Sequence, residues 1–178
     1  MAPRKFSILR VRRSIDPIHR AKAIVGGRAI PCAIGRSGMR PAALKREGDG
    51  TTPIGRFRVL TAWFRGDRWP NRSFSWATRR IGPTDGWCED SSNRRYNHPV
   101  KVAPGANHDR LWRQDRLYDL ILEIDHNARP RILGRGSAVF IHLCRLGMTP
   151  TAGCVAFEPN ELRKLLPRLG RGSVIDIK

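Results

Sequence analysis

The chain has 178 residues, and its 34 Lys and Arg against 15 Asp and Glu give a net charge of +19 and a pI near 11.5. At that length a single domain, 1–178, is the expectation, with roughly two-thirds of the unfolded surface buried. A hydrophobic content of 40% with runs such as Leu120-Ile121-Leu122 excludes a disordered polycation, four cysteines are too few for a disulfide scaffold, and no window approaches a membrane span.

Only six of the cations are Lys, so the charge is mostly Arg, spread from Arg4 to Arg171 instead of gathered in one tail. Such a field attracts polyanions, whether nucleic acid, anionic headgroups or acidic envelope polymers, and weakens with salt. The basic N-terminus, Met1 to Ser14, is followed by no apolar stretch of the kind a Sec-type signal needs.

In chain order, Phe6 to Val11 predicts a strand, and Ala21 to Val25 and Ala29 to Ile34 flank Gly26-Gly27, the signature of a two-residue hairpin. Arg40 to Pro53 reads as a loop, after which Gly55 to Trp63 resumes a strand pattern. Residues 65 to 117 hold Pro70, Pro83, Pro99 and Pro104 and four of the five tryptophans, 69, 76, 87 and 112. Those indoles predict a long ordered excursion packed on a β core, with a short helix around Asp109 to Arg116. Strands are expected again at Tyr118 to Ile124, Ser137 to Leu143 and Val174 to Ile177. A helix follows Pro159, with Leu162, Leu165 and Leu166 on one face. The sum is mainly β, with one or two short helices.

The chemistry concentrates in Phe140-Ile141-His142-Leu143-Cys144 and Thr149-Pro150-Thr151-Ala152-Gly153-Cys154. A histidine ends a buried strand and a cysteine follows twelve residues later, beyond a loop containing Gly and Pro. Cys nucleophiles need an adjacent imidazole that lowers the thiol pKa and generates the thiolate. Gly153 allows close approach by a substrate, and the amides of Gly153 and Cys154 are candidates for an oxyanion hole.

This segment, together with Thr52-Pro53-Ile54-Gly55-Arg56-Phe57 about 90 residues earlier, resembles the YkuD-type L,D-transpeptidase catalytic domain. That family carries a T-P-x-G-x-F strand entry and an H-x(n)-[S/T]-x-G-C signature. The likeness is strongest over 20–177 and extends to Asp85-Gly86-Trp87-Cys88, Tyr96-Asn97-His98-Pro99 and Arg135-Gly136-Ser137-Ala138. It implies a sandwich- or barrel-like single catalytic domain of mainly β structure.

The resemblance further implies that Cys154 is the nucleophile and His142 its base, with the second imidazole nitrogen steered by a backbone carbonyl, that of Leu143. It implies Gly153 beside them and Thr151 as the hydroxyl of the signature. The reaction implied is acyl transfer from a peptidoglycan stem peptide through a thioester, without a cofactor or metal; water as acceptor makes it an L,D-carboxypeptidase or amidase. The partners implied are stem peptides or another anionic envelope polymer, in the cell envelope or periplasm, although no signal peptide is visible. Three positions depart from the family pattern: Leu143 after the histidine, Ala152 where many members have a second histidine, and Ala156 where an arginine is usual. Arg145 is the candidate to bind substrate in that arginine's stead.

Two rival readings remain. His142, Cys144 and Cys154, completed by Cys88 or His98, offer zinc ligands, though at no standard spacing. Alternatively, the charge and interleaved Trp and Arg suggest a nucleic-acid module, although no recognition helix or aromatic RNA-binding strand is present. His19, His108 and His126, in polar turn-like surroundings, read as solvated, and Cys32 and Cys144 as packing residues. Glu89, Asp90 and Asp85 read as loop polar groups or partners for arginine.

Overall fold

The structure, a computed structural model, describes residues 6–69, 76, 78–103 and 108–178. Pro70, Pro104 and the first five residues of the basic N-terminus lie outside that set. The chain begins with β1 (Ile8–Arg13), β2 (Arg20–Val25) and β3 (Arg28–Ala33). Gly26 and Gly27, at φ +53° and +77°, close the β2–β3 hairpin, a left-handed pair that a side chain at either position would strain. The predicted hairpin is present in that register. The segment read as a loop from Arg40 instead carries β4 (Met39–Pro41) and one turn of 3-10 helix, Ala42–Leu44.

β5 (Thr52–Phe64) is long enough to serve several neighbours. It pairs with β4 at its start, with β13 (Val174–Ile177) through Gly55–Arg58, and with β10 (Leu120–Ile124) and β6 (Thr78–Arg80) near its end. β11 (Phe140–Leu143) and β12 (Val155–Phe157) carry the sheet onward from β10, and β12 joins β3. The order β10-β11-β12-β3-β2-β1-β13-β5 is closed by the β5–β10 pairing, so the sheet returns on itself as a barrel. The helix α1 (Pro159–Leu165) buries Leu162 and Leu165 against this core. The mainly β, barrel-like expectation matches the fold.

Strand alternation divides two cores. From β11, Ile141 and Leu143 face the barrel interior with Leu9, Phe57, Leu122 and Phe157, whereas Phe140 turns to a second cluster containing Trp63, Trp87, Leu111, Tyr118 and Cys154. This second core is built largely by the excursion. There β7 (Asp85–Trp87) lies between β8 (Pro99–Lys101) and β9 (Asp109–Arg110) in a separate small sheet. The short helix expected around Asp109 to Arg116 is absent: Asp109 and Arg110 are drawn into pairing with Trp87 and Gly86, and local helical preference yields to that ladder.

Trp87 lies edge-on to Phe140 at 4.9 Å and to Trp63 at 6.3 Å. Its indole N–H donates to Asn97 Oδ1 at 3.0 Å, and the same oxygen accepts the amide of Ala138 at 3.1 Å. Truncating this indole removes a large buried surface and half the support of that polar clamp. Trp87→Ala is therefore expected to destabilise the fold by about 3–5 kcal/mol, measured by denaturant unfolding.

Several arginines pack on tryptophan rings. Arg65 stacks on Trp112 at 3.4 Å, Arg79 lies over Trp63 and Arg163 over Trp69, both at 4.7 Å. These rings do not form the open stacking platform a single-strand binder requires.

Candidate active site

β11 and β12 run parallel, with His142 opposite Ala156, and the connection between them carries Cys144 through Cys154. Cys154 therefore arrives one step before β12, beside Phe140, whose amide donates to its Sγ at 3.3 Å. The thiol in turn donates to the carbonyl of Ala138 at 3.1 Å. Asn97 fixes that carbonyl's segment through the Ala138 amide, so a residue of the excursion sets the thiol's direction.

Thr52 holds the other side of the loop that carries Cys154. Its hydroxyl donates to the Gly153 carbonyl at 2.9 Å and accepts the Gly35 amide at 2.8 Å, and the residue is fully buried. The T-P-x-G-x-F segment, read from sequence as a strand entry, is thus also a strap across the site. Gly153 sits at φ +152°, and a Cβ there would stand 2.9 Å from the Thr51 carbonyl. Glycine is required by both conformation and space.

His142 is buried, and its Nδ1 lies 2.7 Å from the Leu143 carbonyl. A carbonyl only accepts, so Nδ1 carries the proton and Nε2 is left as the basic nitrogen. Tyr118 packs edge-on against this ring at 5.3 Å and donates its own hydroxyl to Asp109 Oδ2 at 2.8 Å. Burial pushes the imidazole down to about 4 and the Cys154 thiol up to about 12, the Phe140 hydrogen bond opposing the latter. The sequence led to the expectation of a thiol depressed by its histidine. In the structure the thiol's hydrogen bonds run to backbone groups, and desolvation dominates, so the resting pair is neutral thiol and neutral imidazole.

Both side chains line one cavity of about 380 Å³, together with Gly153, Thr151 and Arg145. All five residues singled out from the sequence thus border the same space. Their settings differ: Arg145 is exposed and pairs loosely with Asp115 at 3.5 Å, while Thr151 is part of the loop's internal bonding. The Thr151 hydroxyl donates to the Cys154 carbonyl at 2.7 Å and accepts the Gly153 amide at 3.1 Å. That corrects the expected pair of oxyanion donors, for the Gly153 amide is already engaged.

Two groups that sequence reading missed complete the walls: Lys45, from the segment read as a loop and held there by Asp49, and Asp109, from the expected helix. Burial raises the Asp109 carboxyl, with Tyr118 and Arg113 drawing it back. Glu89, at the same cavity, is pushed up to about 7 by desolvation and by the nearby Asp109 and Glu47. His126, expected in solvent, is buried and held down to about 4, again by desolvation first. Among the described residues no group of three or more His, Cys, Asp and Glu is arranged to hold a metal, and no helix is long and apolar enough to cross a membrane.

The closed β sheet thus presents a cysteine and an oriented histidine to one polar cavity. The family model for the YkuD L,D-transpeptidase catalytic domain matches residues 18–177, and the chain belongs to that family of enzymes. Among solved structures it is similar to the crystal structure of L,D-transpeptidase 1 from Mycobacterium tuberculosis, at 14% identity and a TM-score of 0.39. That match covers 96% of this chain and 61% of the other, so the chain spans about three-fifths of that protein's length. No curated protein matches it.

Proposed function

We propose that residues 18–177 form one catalytic domain that carries out cysteine-dependent acyl transfer on peptidoglycan stem peptides, with Cys154 as nucleophile and His142 as base. The observation that carries this reading is the fixed tautomer: the Leu143 carbonyl takes the Nδ1 proton, leaving Nε2 free in a cavity shared with the Cys154 thiol. Because the resting pair is neutral, the nucleophile is generated in the reaction itself. The thiol proton leaves its hydrogen bond to the Ala138 carbonyl and passes from Sγ to Nε2 as Sγ attacks the scissile carbonyl carbon.

The tetrahedral oxyanion is stabilised by the Cys154 amide, which has no acceptor among the described residues. The imidazolium returns its proton to the departing amine, the carbon–nitrogen bond breaks, and a thioester remains on Cys154. An acceptor amine then attacks this carbonyl, loses its proton to Nε2 and expels the sulfur, which takes that proton back so that the neutral pair is restored. The cavity's mixture of Lys45 and Arg113 with Glu89 and Asp109 suits a peptide end bearing both ammonium and carboxylate groups. The surplus positive charge suits an anionic wall polymer in the cell envelope.

Mass spectrometry after exposure to a carbapenem, which acylates the thiol in this family, tests the assignment. The expected result is one adduct on the peptide containing Cys154, lost in Cys154→Ala. An adduct that persists in that variant sinks the assignment.

A further inference from the structure

Lys45 lies on the floor of the nucleophile cavity with only 3% of its surface exposed, and it is the most deeply buried of the cations that line it. Its ammonium donates to Asp49 Oδ1 at 2.6 Å and to the Arg46 carbonyl at 3.0 Å, which leaves one of its three N–H groups uncommitted among the described residues. That nitrogen is 3.7 Å from the point where a Gly153 side chain would begin, next to the nucleophile. A buried cation ordinarily has its charge cancelled by its partner. Here Asp49 also accepts the amide of Arg46 at 2.9 Å and the amide and hydroxyl of Thr51, both at 2.8 Å, so these positive dipole ends add to the field around the ion pair. Four donors share one carboxylate, and they hold it well below the usual carboxylate range. Asp49 thus anchors the ammonium while its own charge is spread over other dipoles.

We propose that Lys45 is the anion-binding group of this cavity, a specificity-determining residue that favours substrates with a carboxylate close to the reacting carbonyl. The sequence reading named Arg145 as a substrate-binding candidate, but Arg145 is exposed, and water competes at an exposed guanidinium far more than at a buried ammonium. Of the other cations lining the cavity, Arg36 and Arg145 are exposed and Arg113 is engaged with Asp115 and Asp109, so Lys45 is the buried one placed to meet an anion. This inference rests on Cys154 being the reactive thiol, and its test separates the two.

The probes are iodoacetate and iodoacetamide, which alkylate thiols by the same displacement and differ in charge. Labelling of Cys154 is read by peptide-resolved mass spectrometry, each rate being normalised to that of glutathione. In the wild-type chain the iodoacetate-to-iodoacetamide ratio is expected to be at least about fivefold higher than in Lys45→Met/Asp49→Asn, a double change that leaves no unpaired buried charge, with Lys45→Arg retaining most of the preference. An unchanged ratio in the double variant overturns the inference while leaving Cys154 as the reactive thiol.

A second measurement needs no variant. Propionate is expected to slow iodoacetamide labelling of wild-type Cys154, and propionamide at the same concentration is not. Equal effects of the two overturn the inference. If Cys154 is not labelled by either reagent, the nucleophile assignment itself falls, and this inference falls with it.

Discussion

Cys154→Ala is expected to abolish acyl-enzyme formation and to lower the transfer rate at least about a thousandfold, read as release of the leaving amine from a stem tetrapeptide. Cys154→Ser should be nearly as inactive, since a hydroxyl held in the same pocket is far harder to deprotonate than a thiol. The nearest substitute, Cys144, borders the same cavity but faces the wrong electrostatics: burial and the neighbouring Glu158 push its thiol up to about 11. More than about 1% residual activity in Cys154→Ala would transfer the nucleophile's role to another residue. Folding should be retained, because the lost Sγ bonds are single contacts to Phe140 and Ala138.

His142→Gln should lower the acylation rate by roughly 10²–10⁴, the range that a positioned general base supplies. The pH profile discriminates further. An imidazole held down to about 4 remains neutral, and able to accept the thiol proton, well below the usual histidine range. Wild-type activity should therefore stay level from neutral pH to about 5 and fall only as His142 protonates near 4. A limb at about 6.5 would mean a solvated base.

The same burial has a cost in stability. His126 and His142 both take up protons more readily in the unfolded chain, so stability is full above about 6.5 and is lost as pH falls towards 4. The loss is on the order of 3 kcal/mol for each. Glu89, pushed up to about 7, adds stability as pH falls over much of the same interval and offsets part of this loss. The histidine contribution is therefore read by difference: His126→Gln should flatten the pH dependence of the thermal melts relative to wild type.

The strand periods and the Gly26-Gly27 turn were readable because they are local: alternation and φ > 0 chemistry act within a few residues. The His142 and Cys154 pairing was readable because one short crossover joins them. What escaped was everything that depends on distant partners. Lys45 and Asp49 sit in a polar stretch whose composition signals a loop, and only the fold sets them beside Gly153. Asp109 looked helical because its pairing with Trp87 comes from 22 residues away. His126 looked solvated because its neighbours in sequence are polar, while its neighbours in space include Phe57, edge-on at 5.5 Å. Thr52 stood in a visible motif, yet its hydroxyl's link to Gly153 spans 101 residues. The thiol's pKa ran opposite to expectation because Trp87 and Trp112, two of the indoles that made the excursion legible, pack in the cluster that buries Cys154.

The placement of β13 has a consequence for the order of events during synthesis. It lies between β1 and β5, parallel to one and antiparallel to the other, so the ring is incomplete until the segment from Val174 to Ile177 has left the ribosome. Until then β1 and β5 both expose unpaired edges, and the most separated contacts in the chain, such as Ile8 with Val174, are still to form. A nascent chain stalled before Val174 presents two sticky templates at once, which makes the last strand the step where a holdase chaperone or a proofreading protease would act.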